Sequence, residues 1–265
     1  MTNLSSSNNL LSLAGRHALV TGANGGIGQA ICQALARKGA RVTLLGRKPA
    51  ELESVRAQLD GTGHGVVVAD VSDHAAVARA SQDAAHARGA IGILVCNAGD
   101  AHSASFARTQ PAAWQQMLDV NLTGTYNCIA AVLPSMIEAG WGRVVNVAST
   151  AGLRGYAYVV AYCAAKHGVI GLTRALALEI ARTGVTVNAI CPGYTDTPLL
   201  KDAIDNIVTK TGRSLDQAKG ALAASNPQGR LVTPAEVANA VEWLCLPGSE
   251  SVHGQSIAVA GGEVM

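Results

Sequence analysis

Residues 17–39 read HALVTGANGGIGQAICQALARKG, and this stretch decides the fold of the chain. A short apolar run leads into a glycine-rich turn, and the turn opens a helical pattern that ends at Gly39. A helix that starts directly after such a turn offers free N–H groups and a positive dipole end to an anion. Gly22, Gly26 and Gly28 would let the backbone approach a pyrophosphate closely. The stretch therefore predicts the first strand–turn–helix unit of a dinucleotide-binding sheet, rather than a turn that only packs a helix on a strand.

Outward from this unit, strands and helices keep alternating along the chain. Besides 17–21, continuously apolar runs predict six further strands, at 41–46, 65–70, 91–99, 142–149, 186–190 and 255–260. Continuous rather than alternating apolar residues are typical of parallel strands that are buried on both faces. The pattern predicts an α/β fold, a single Rossmann-type doubly wound parallel seven-stranded sheet with helices on both faces.

One domain is expected over residues 15–265, because the composition does not change and no linker interrupts the pattern. Residues 1–14 are expected to form a flexible N-terminal lead-in. A long helix is expected from about Tyr158 to Ala181. Residues 195–230 are too many for a plain connection, so we expect a substrate-covering insertion there.

Composition and charge exclude several classes of protein. The chain has 265 residues, a net charge of +2 and only 14% charged residues, which indicates surface hidden between subunits. No basic run could follow a phosphate backbone and no apolar stretch reaches membrane-spanning length, so we expect neither nucleic acid nor a membrane as a partner. Six cysteines without a C-x-x-C pair and seven scattered histidines favour a cytoplasmic protein with buried thiols and no metal site.

The end of the second predicted strand favours NADP(H) as the dinucleotide. In NAD-binding sheets a carboxylate at this point hydrogen-bonds the ribose 2′-OH. This chain has Gly46 followed by Arg47, and a guanidinium suits a 2′-phosphate instead. NAD(H) remains the alternative, in which Arg47 is only a solvated charge.

The run YCAAK at 162–166 is the candidate for proton transfer. Tyr162 and Lys166 are four residues apart and therefore share one face of the predicted long helix. A free tyrosine has a pKa near 10, and a neighbouring ammonium group favours the phenolate. The phenol could then act as a general acid in carbonyl reduction or as a base in alcohol oxidation. Ser149 ends a predicted strand at the ligand-binding edge of the sheet and could hold the substrate oxygen.

Together these motifs resemble the short-chain dehydrogenase/reductase family, from about Gly15 to Gly262. They are TGANGGIG at 21–28, CNAG at 96–99, NLTG at 121–124, Ser149, YCAAK at 162–166 and CPG at 191–193. The resemblance implies a homotetramer and four catalytic residues, which are Asn121, Ser149, Tyr162 and Lys166. In this family the tyrosine is the general acid/base and the serine orients the carbonyl. The lysine lowers the tyrosine pKa and holds the nicotinamide ribose, while the asparagine loosens its helix and binds a relay water.

The resemblance also implies a set of cofactor contacts beyond Tyr162 and Lys166. They are Gly22, Asn24, Gly26, Ile27, Gly28, Arg47, Asp70, Val71, Asn97, Ala98, Gly99, Pro192, Gly193 and Thr195. Thr195 is expected at the nicotinamide end, and the family's usual asparagine is replaced by Cys96, a change expected to have little functional cost.

The substrate region resembles both 3-hydroxybutyrate dehydrogenases and 3-oxoacyl thioester or polyketide ketoreductases. The former hold a small carboxylate with polar and cationic side chains, but the matching places here carry Ala151, Val159 and Tyr194. A buried carboxylate without a cationic partner would cost several kcal/mol, whereas an apolar wall suits a longer acyl chain or a ring. We expect Tyr156 and Tyr194 to line the substrate site with Ser149 and Tyr162.

These observations predict an oxidoreductase that interconverts a carbonyl and a secondary alcohol. The favoured reaction is NADPH-dependent reduction of a 3-oxoacyl thioester, linked to CoA or a carrier protein, or of a similar bulky β-keto compound. The alternative is an NAD-dependent dehydrogenase of the 3-hydroxybutyrate type working oxidatively. A more remote alternative is a nucleotide-binding regulator that has kept the fold without the chemistry.

Overall fold

The computed structural model describes residues 12–265, except for the side chains at positions 199, 202, 203, 206, 207 and 210. Seven strands form one sheet in the order β3-β2-β1-β4-β5-β6-β7, and every neighbouring pair is parallel. The strands are β1 His17–Thr21, β2 Arg41–Gly46, β3 Gly65–Val68, β4 Ile93–Cys96, β5 Gly142–Val147, β6 Val185–Pro192 and β7 Ser256–Val259. The predicted parallel seven-stranded sheet is confirmed, and the strand order reverses beside β1, where such sheets bind ligands.

Helices connect the strands and cover both faces of the sheet. They are α1 Gly26–Arg37, α2 Pro49–Arg56, α3 His74–Arg88, α4 Pro111–Leu118, α5 Gly124–Glu138, α6 Val160–Glu179, α7 Lys201–Thr211, α8 Leu215–Ala223 and α9 Pro234–Cys245. Local sequence sets several of these starts. Thr233 and Glu236 form a capping box at α9, and the Asp73 carboxylate accepts a hydrogen bond from Ala76 N at α3.

Two apolar layers enclose the sheet, one on each face. Successive side chains of β1 alternate between them, so that Val20 belongs to one cluster and Leu19 to the other. The first cluster packs α1, α2 and α9 against the sheet, and the second packs α3, α5 and α6. Because both faces are buried, the strands read as continuous apolar runs.

Several predicted elements end earlier in the structure than in the sequence pattern. The third, fourth and fifth predicted strands all extend past the real carboxyl ends at Val68, Cys96 and Val147. Beyond these ends the backbone leaves the ladder to form the loops of the ligand-binding edge. The long helix begins at Val160 rather than Tyr158, because Tyr158 has a left-handed φ of 68° that no α-helix can contain.

The ends of the predicted domain and its insertion can be compared with the described residues. Residues 1–11 of the predicted lead-in lie outside them, whereas Leu13 is buried and its N–H donates to the Lys38 carbonyl. The predicted insertion contains α7 and α8 and is closed at its base by a bridge between Thr195 and Val232. None of the helices in residues 12–265 is both long and apolar enough to cross a bilayer.

Candidate active site

The glycine loop between β1 and α1 is shaped to leave room for a ligand beside bare backbone. Gly22 has a left-handed φ of 61°, and a Cβ at Gly28 would overlap the Gly22 carbonyl oxygen and lie 2.9 Å from the Ala23 Cα. No side chain caps the start of α1 at Gly25. The loop therefore presents uncapped N–H groups and a positive dipole end, which fit the pyrophosphate of a dinucleotide.

Asn97 and its neighbours brace this loop from the end of β4. The Asn97 Nδ2 group donates to the carbonyl oxygens of Thr21 at 3.0 Å and Gly22 at 3.1 Å. The Ala98 N–H donates to the Thr21 hydroxyl at 2.9 Å. Among the predicted cofactor residues, Asn97 and Ala98 therefore fix the shape of the glycine loop.

Two cations lie at the carboxyl end of β2, next to the glycine loop. The Arg47 guanidinium is 72% exposed and lies 3.7 Å from the Asp70 carboxylate. Lys48, which the sequence reasoning passed over, donates to Glu51 Oε1 at 2.8 Å, and Asn24 donates to Glu51 Oε2 at 2.7 Å. An exposed guanidinium beside an ammonium group can bind a phosphate.

Asp70 and Val71, predicted at the adenine, form a short turn after β3. The Asp70 carboxylate accepts hydrogen bonds from the Ser72 N–H and hydroxyl, and these bonds hold its pKa below the usual value. The Val71 side chain packs on Gly124, and its carbonyl accepts a hydrogen bond from Asn127 Nδ2. Helix α5 therefore fixes the position of this turn.

The four predicted catalytic side chains come together at the ends of β4 and β5. Lys166 is 4% exposed, and its Nζ donates to the Val147 carbonyl at 3.0 Å and lies 5.6 Å from the Tyr162 ring centroid. The Ser149 side chain hydrogen-bonds the Tyr162 phenol and also accepts from the Ala151 N–H at 3.1 Å.

Asn121 reaches the same place from a distorted helical segment. Residues Asp119–Thr123 form a π turn between α4 and α5, which is the loosened helix that the family resemblance implies. The buried Asn121 Nδ2 group donates to the Asp100 carbonyl at 2.9 Å and to the Met117 carbonyl at 3.0 Å. A Cβ at Gly99 would lie 2.9 Å from Asn121 Oδ1 and 3.6 Å from Lys166 Nζ, so both side chains border Gly99.

The pKa values of the Tyr162–Lys166 pair are set mainly by burial. Burial raises the pKa of Tyr162 to about 12, and the hydrogen bond from Ser149 offsets this only in part. Burial also lowers the pKa of Lys166 to about 8. Desolvation is the largest influence on the Tyr162 pKa, and the predicted lowering of the phenol pKa by Lys166 stays a prediction.

Replacing Lys166 with Met should change the pH dependence of stability in a defined window. With a folded-state pKa of about 8 against 10.5 unfolded, Lys166 is charged in both states below pH 8, where its burial is unfavourable. Between these values the unfolded chain binds more protons, so wild-type stability should rise with pH relative to Lys166→Met. The relative gain should be on the order of 3 kcal/mol. Urea unfolding of both proteins across this window measures it; a constant difference would contradict the burial of the charge.

Tyr156 and Tyr194, which are predicted to line the substrate site, form an aromatic wall. Their rings meet edge to face with centroids 6.3 Å apart. Burial raises the pKa of Tyr194, and the field of Tyr194 reaches Tyr162. Charged groups also lie against this wall, because Arg154 and Glu263 form an ion pair of 3.1 Å against Tyr156.

Thr195, predicted at the nicotinamide end, lies at the base of the insertion, and its contact with the cofactor stays a prediction. Its hydroxyl is buried and donates to the Gly193 carbonyl at 3.0 Å, so it is engaged within the chain. Thr197, which the sequence reasoning missed, lies against the glycine loop, since a Cβ at Gly26 would be 2.9 Å from the Thr197 Cγ2. In the sequence, the only indication of this contact was a second threonine two residues after Thr195.

All six cysteines are free and buried, and Cys96 lies 3.9 Å from the Thr125 carbonyl oxygen. Within residues 12–265, three or more His, Cys, Asp or Glu side chains nowhere gather in a group that could hold a metal ion. The site geometry therefore consists of a glycine loop, two exposed cations and a Ser–Tyr–Lys–Asn cluster in which Lys166 and Asn121 are buried and Ser149 and Tyr162 are half-buried.

Known proteins share this arrangement. The family model described as short chain dehydrogenase matches residues 16–207. A D-beta-hydroxybutyrate dehydrogenase of Cupriavidus necator is 38% identical over 257 residues, which cover 95% of this chain and 99% of that protein. A putative ketoacyl reductase of Streptomyces coelicolor is 37% identical, with 92% of this chain and 95% of that protein covered.

Solved structures lead to the same class. A crystal structure of an actinorhodin polyketide ketoreductase variant with NADPH superposes with a TM-score of 0.90 at 36% identity, covering 94% of this chain and 97% of that one. The chain belongs to the short-chain dehydrogenase family, and it is an oxidoreductase of that family.

Proposed function

We propose that the protein reduces a 3-oxoacyl thioester, or a similar bulky β-keto compound, with NADPH. The observation that carries the reaction is the half-buried Tyr162 phenol, which is hydrogen-bonded to Ser149 and has Lys166 one turn away. The two relatives named above, a ketoacyl reductase and a hydroxybutyrate dehydrogenase, support carbonyl–alcohol chemistry without choosing between their substrates.

In this mechanism the Ser149 hydroxyl and the Tyr162 phenol both bind the substrate carbonyl oxygen. Ser149 is held by the Ala151 N–H, so its hydroxyl has a fixed position at the end of β5. Tyr162 gives its proton to the oxygen as negative charge develops there. A bound reduced nicotinamide supplies the hydride to the carbonyl carbon. Lys166 and Asn121, both buried beside Gly99, would resupply the proton and bind the nicotinamide ribose.

Tyr162 is protonated at neutral pH, as a proton donor in reduction must be. With a pKa of about 12, roughly one phenol in 10⁵ is ionised at pH 7. The side chain therefore carries the proton that reduction consumes. Oxidation needs the phenolate, which this chain would have to stabilise with the help of a cationic oxidised nicotinamide.

The preference for NADPH rests on the cations at the end of β2. Arg47 is exposed and Lys48 is its neighbour, and position 46 holds a glycine rather than a carboxylate. The NADPH-bound ketoreductase structure at 36% identity supports the same choice. NAD(H) is the weaker alternative, because its ribose has no phosphate for these two cations to bind.

The substrate class rests on the aromatic wall. Tyr156 and Tyr194 present rings where a small-acid enzyme would need cationic groups, and Ala151 adds a small buried side chain. The insertion 195–230, with its own small core around Leu200 and Ala218, is proposed to cover the acyl chain. CoA or a carrier protein would then hold the thioester end outside.

Assembly as a homotetramer is part of the proposal. Leu178 on α6 is 83% exposed, and Trp243 on α9 and Tyr126 on α5 are also exposed. Strand β7 lies at the edge of the sheet. Monomers rarely expose such apolar groups together with an open sheet edge. Light scattering should give the mass of four chains, and a monomer would contradict this.

The six buried free thiols support a reducing, cytoplasmic location.

The wild-type enzyme should oxidise NADPH rapidly with acetoacetyl-CoA and longer 3-oxoacyl-CoA compounds. Its kcat/KM should be about tenfold or more above that for free acetoacetate, since the wall binds acyl groups and offers no free cation to a carboxylate. Steady-state rates measured by absorbance of reduced nicotinamide test this. Inert thioesters together with rapid turnover of acetoacetate would overturn the proposed substrate class.

Arg47→Ala tests the proposed preference for NADPH over NADH. It should weaken NADPH binding about tenfold, because a charge-assisted contact to the phosphate is lost, and leave NADH binding unchanged. Fluorescence titration of both nucleotides measures this. Equal losses for both would show that Arg47 does not bind the 2′-phosphate.

A further inference from the structure

Near the C-terminus, Glu263 reaches into the wall of the candidate substrate site. Its side chain is only 1% exposed. Its Oε1 atom lies 3.1 Å from an Arg154 guanidinium nitrogen and 2.6 Å from the Tyr156 phenol oxygen. The Arg154 guanidinium also stacks 4.6 Å above the Tyr156 ring. Thus the arginine nearest the substrate wall is already neutralised by a buried carboxylate.

The number of donors and acceptors among Thr150, Tyr156 and Glu263 determines which group donates each hydrogen bond. The Tyr156 phenol oxygen lies 2.8 Å from the Thr150 hydroxyl as well as 2.6 Å from Glu263. A carboxylate can only accept, so the single phenol proton goes to Glu263 and Thr150 donates to Tyr156. Thr150 directly follows Ser149. The orientation of the wall beside the reacting carbonyl therefore depends on the charge of Glu263.

The tail that carries Glu263 is packed between the wall and the base of the insertion. A Cβ at Gly193 would lie 2.9 Å from Glu263 Oε2, and a Cβ at Gly261 would overlap the Asn226 side-chain oxygen. Tyr194 follows Gly193, and the fields of both Glu263 and Arg154 reach it. The ion pair consequently acts on the same wall that faces Tyr162.

We propose that Glu263 determines substrate specificity by neutralising Arg154 and fixing Tyr156, so that the site accepts uncharged acyl groups and rejects carboxylates. This inference rests on the proposed carbonyl reduction and deepens it. A substrate carboxylate near the wall would meet the negative charge of Glu263, while its natural partner, the Arg154 guanidinium, is occupied. An uncharged ester or thioester is neither repelled by the charge of Glu263 nor dependent on that of Arg154.

The test compares acetoacetate with ethyl acetoacetate, which present the same β-keto group with and without a negative charge. Glu263→Gln keeps the size of the side chain and an oxygen that can accept from Tyr156, but frees the guanidinium. The ratio of kcat/KM for the acid over the ester should rise about tenfold, mainly through the KM of the acid. Arg154→Gln should shift the ratio the opposite way, because Glu263 is then unopposed.

Two controls separate this role from a structural one. Glu250→Gln removes another carboxylate that pairs with an arginine, Arg143, at the start of β5, and should leave the ratio unchanged. The double variant Arg154→Gln/Glu263→Gln should lose the gain in acid turnover. A ratio unaltered in Glu263→Gln, or a gain that persists without Arg154, would overturn the inference. NADPH titration and thermal unfolding of each variant show whether the fold is intact.

Failure of this inference can be told apart from failure of the proposed function. Inert thioesters with a shifted acid-to-ester ratio would reject the thioester substrate and keep the role of Glu263. Rapid thioester turnover with an unshifted ratio would do the reverse.

Discussion

Tyr162→Phe is expected to lower kcat about a thousandfold, the range that a positioned general acid contributes. The substitution removes one hydroxyl from a half-buried ring and should leave the fold and the NADPH affinity unchanged. In wild type that hydroxyl is protonated at neutral pH and hydrogen-bonded to Ser149, so it is ready to protonate the carbonyl oxygen. Without it the developing charge has only Ser149 as a donor. Single-turnover rates and fluorescence titration measure the two quantities separately.

Tyr194→Phe is the matched control for this prediction. Tyr194 is a second partly buried phenol in the same wall, and burial raises its pKa as well. Its ring packs against Tyr156, whereas its hydroxyl has no place in the proposed proton transfer. The variant should keep most of the wild-type kcat. If Tyr162→Phe retained more than about a tenth of the wild-type rate, the assignment of the general acid would be wrong.

Much of the fold could be predicted from the sequence because its determinants are local. The glycine turn at 21–28, the apolar strands and the Thr233–Pro234 helix start each rest on residues within one or two turns of each other. The ends of the strands were less predictable. Residues such as Asn97 remain next to an apolar run, yet the backbone there leaves the ladder because the Asn97 side chain binds the glycine loop instead.

The parts of the site that the sequence did not predict depend on long-range contacts. Glu263 is separated by more than a hundred residues from Arg154 and Tyr156, and no local pattern pairs them. The desolvation of the Tyr162–Lys166 pair has a similar long-range origin. Spacing of four residues places Lys166 on the same helix face, but the burial that dominates both pKa values comes from the surrounding sheet and loops.

The proposed function joins three properties of the site. They are a protonated Tyr162, exposed cations at the end of β2 and a wall in which Arg154 is paired with Glu263. Each of these three properties can be altered by one substitution, at Tyr162, Arg47 or Glu263. Their effects should fall on kcat, on cofactor choice and on substrate choice respectively, because the three groups contact different parts of the reacting complex.

Gly28→Ala is expected to weaken NADPH binding about a hundredfold and to destabilise the fold by about 1–3 kcal/mol. The new Cβ would overlap the Gly22 carbonyl oxygen and lie 2.9 Å from both the Ala23 Cα and the Asn97 Nδ2. Two of these contacts are backbone atoms of the loop itself, so they cannot move aside without changing the anion site. Fluorescence titration and urea unfolding measure both effects.

Two neighbouring glycines provide graded controls for this prediction. A Cβ at Gly25 would meet only the Gly22 carbonyl oxygen at 3.4 Å, an ordinary van der Waals contact, so Gly25→Ala should bind NADPH nearly as well as wild type. A Cβ at Gly26 would meet the Thr197 side chain at 2.9 Å, which can rotate away, so Gly26→Ala should show an intermediate loss. The three substitutions add the same methyl group, so only the rigidity of the atoms that it contacts can produce this order of NADPH affinities. Equal affinities in all three variants would mean that the loop does not bind the pyrophosphate through close backbone approach.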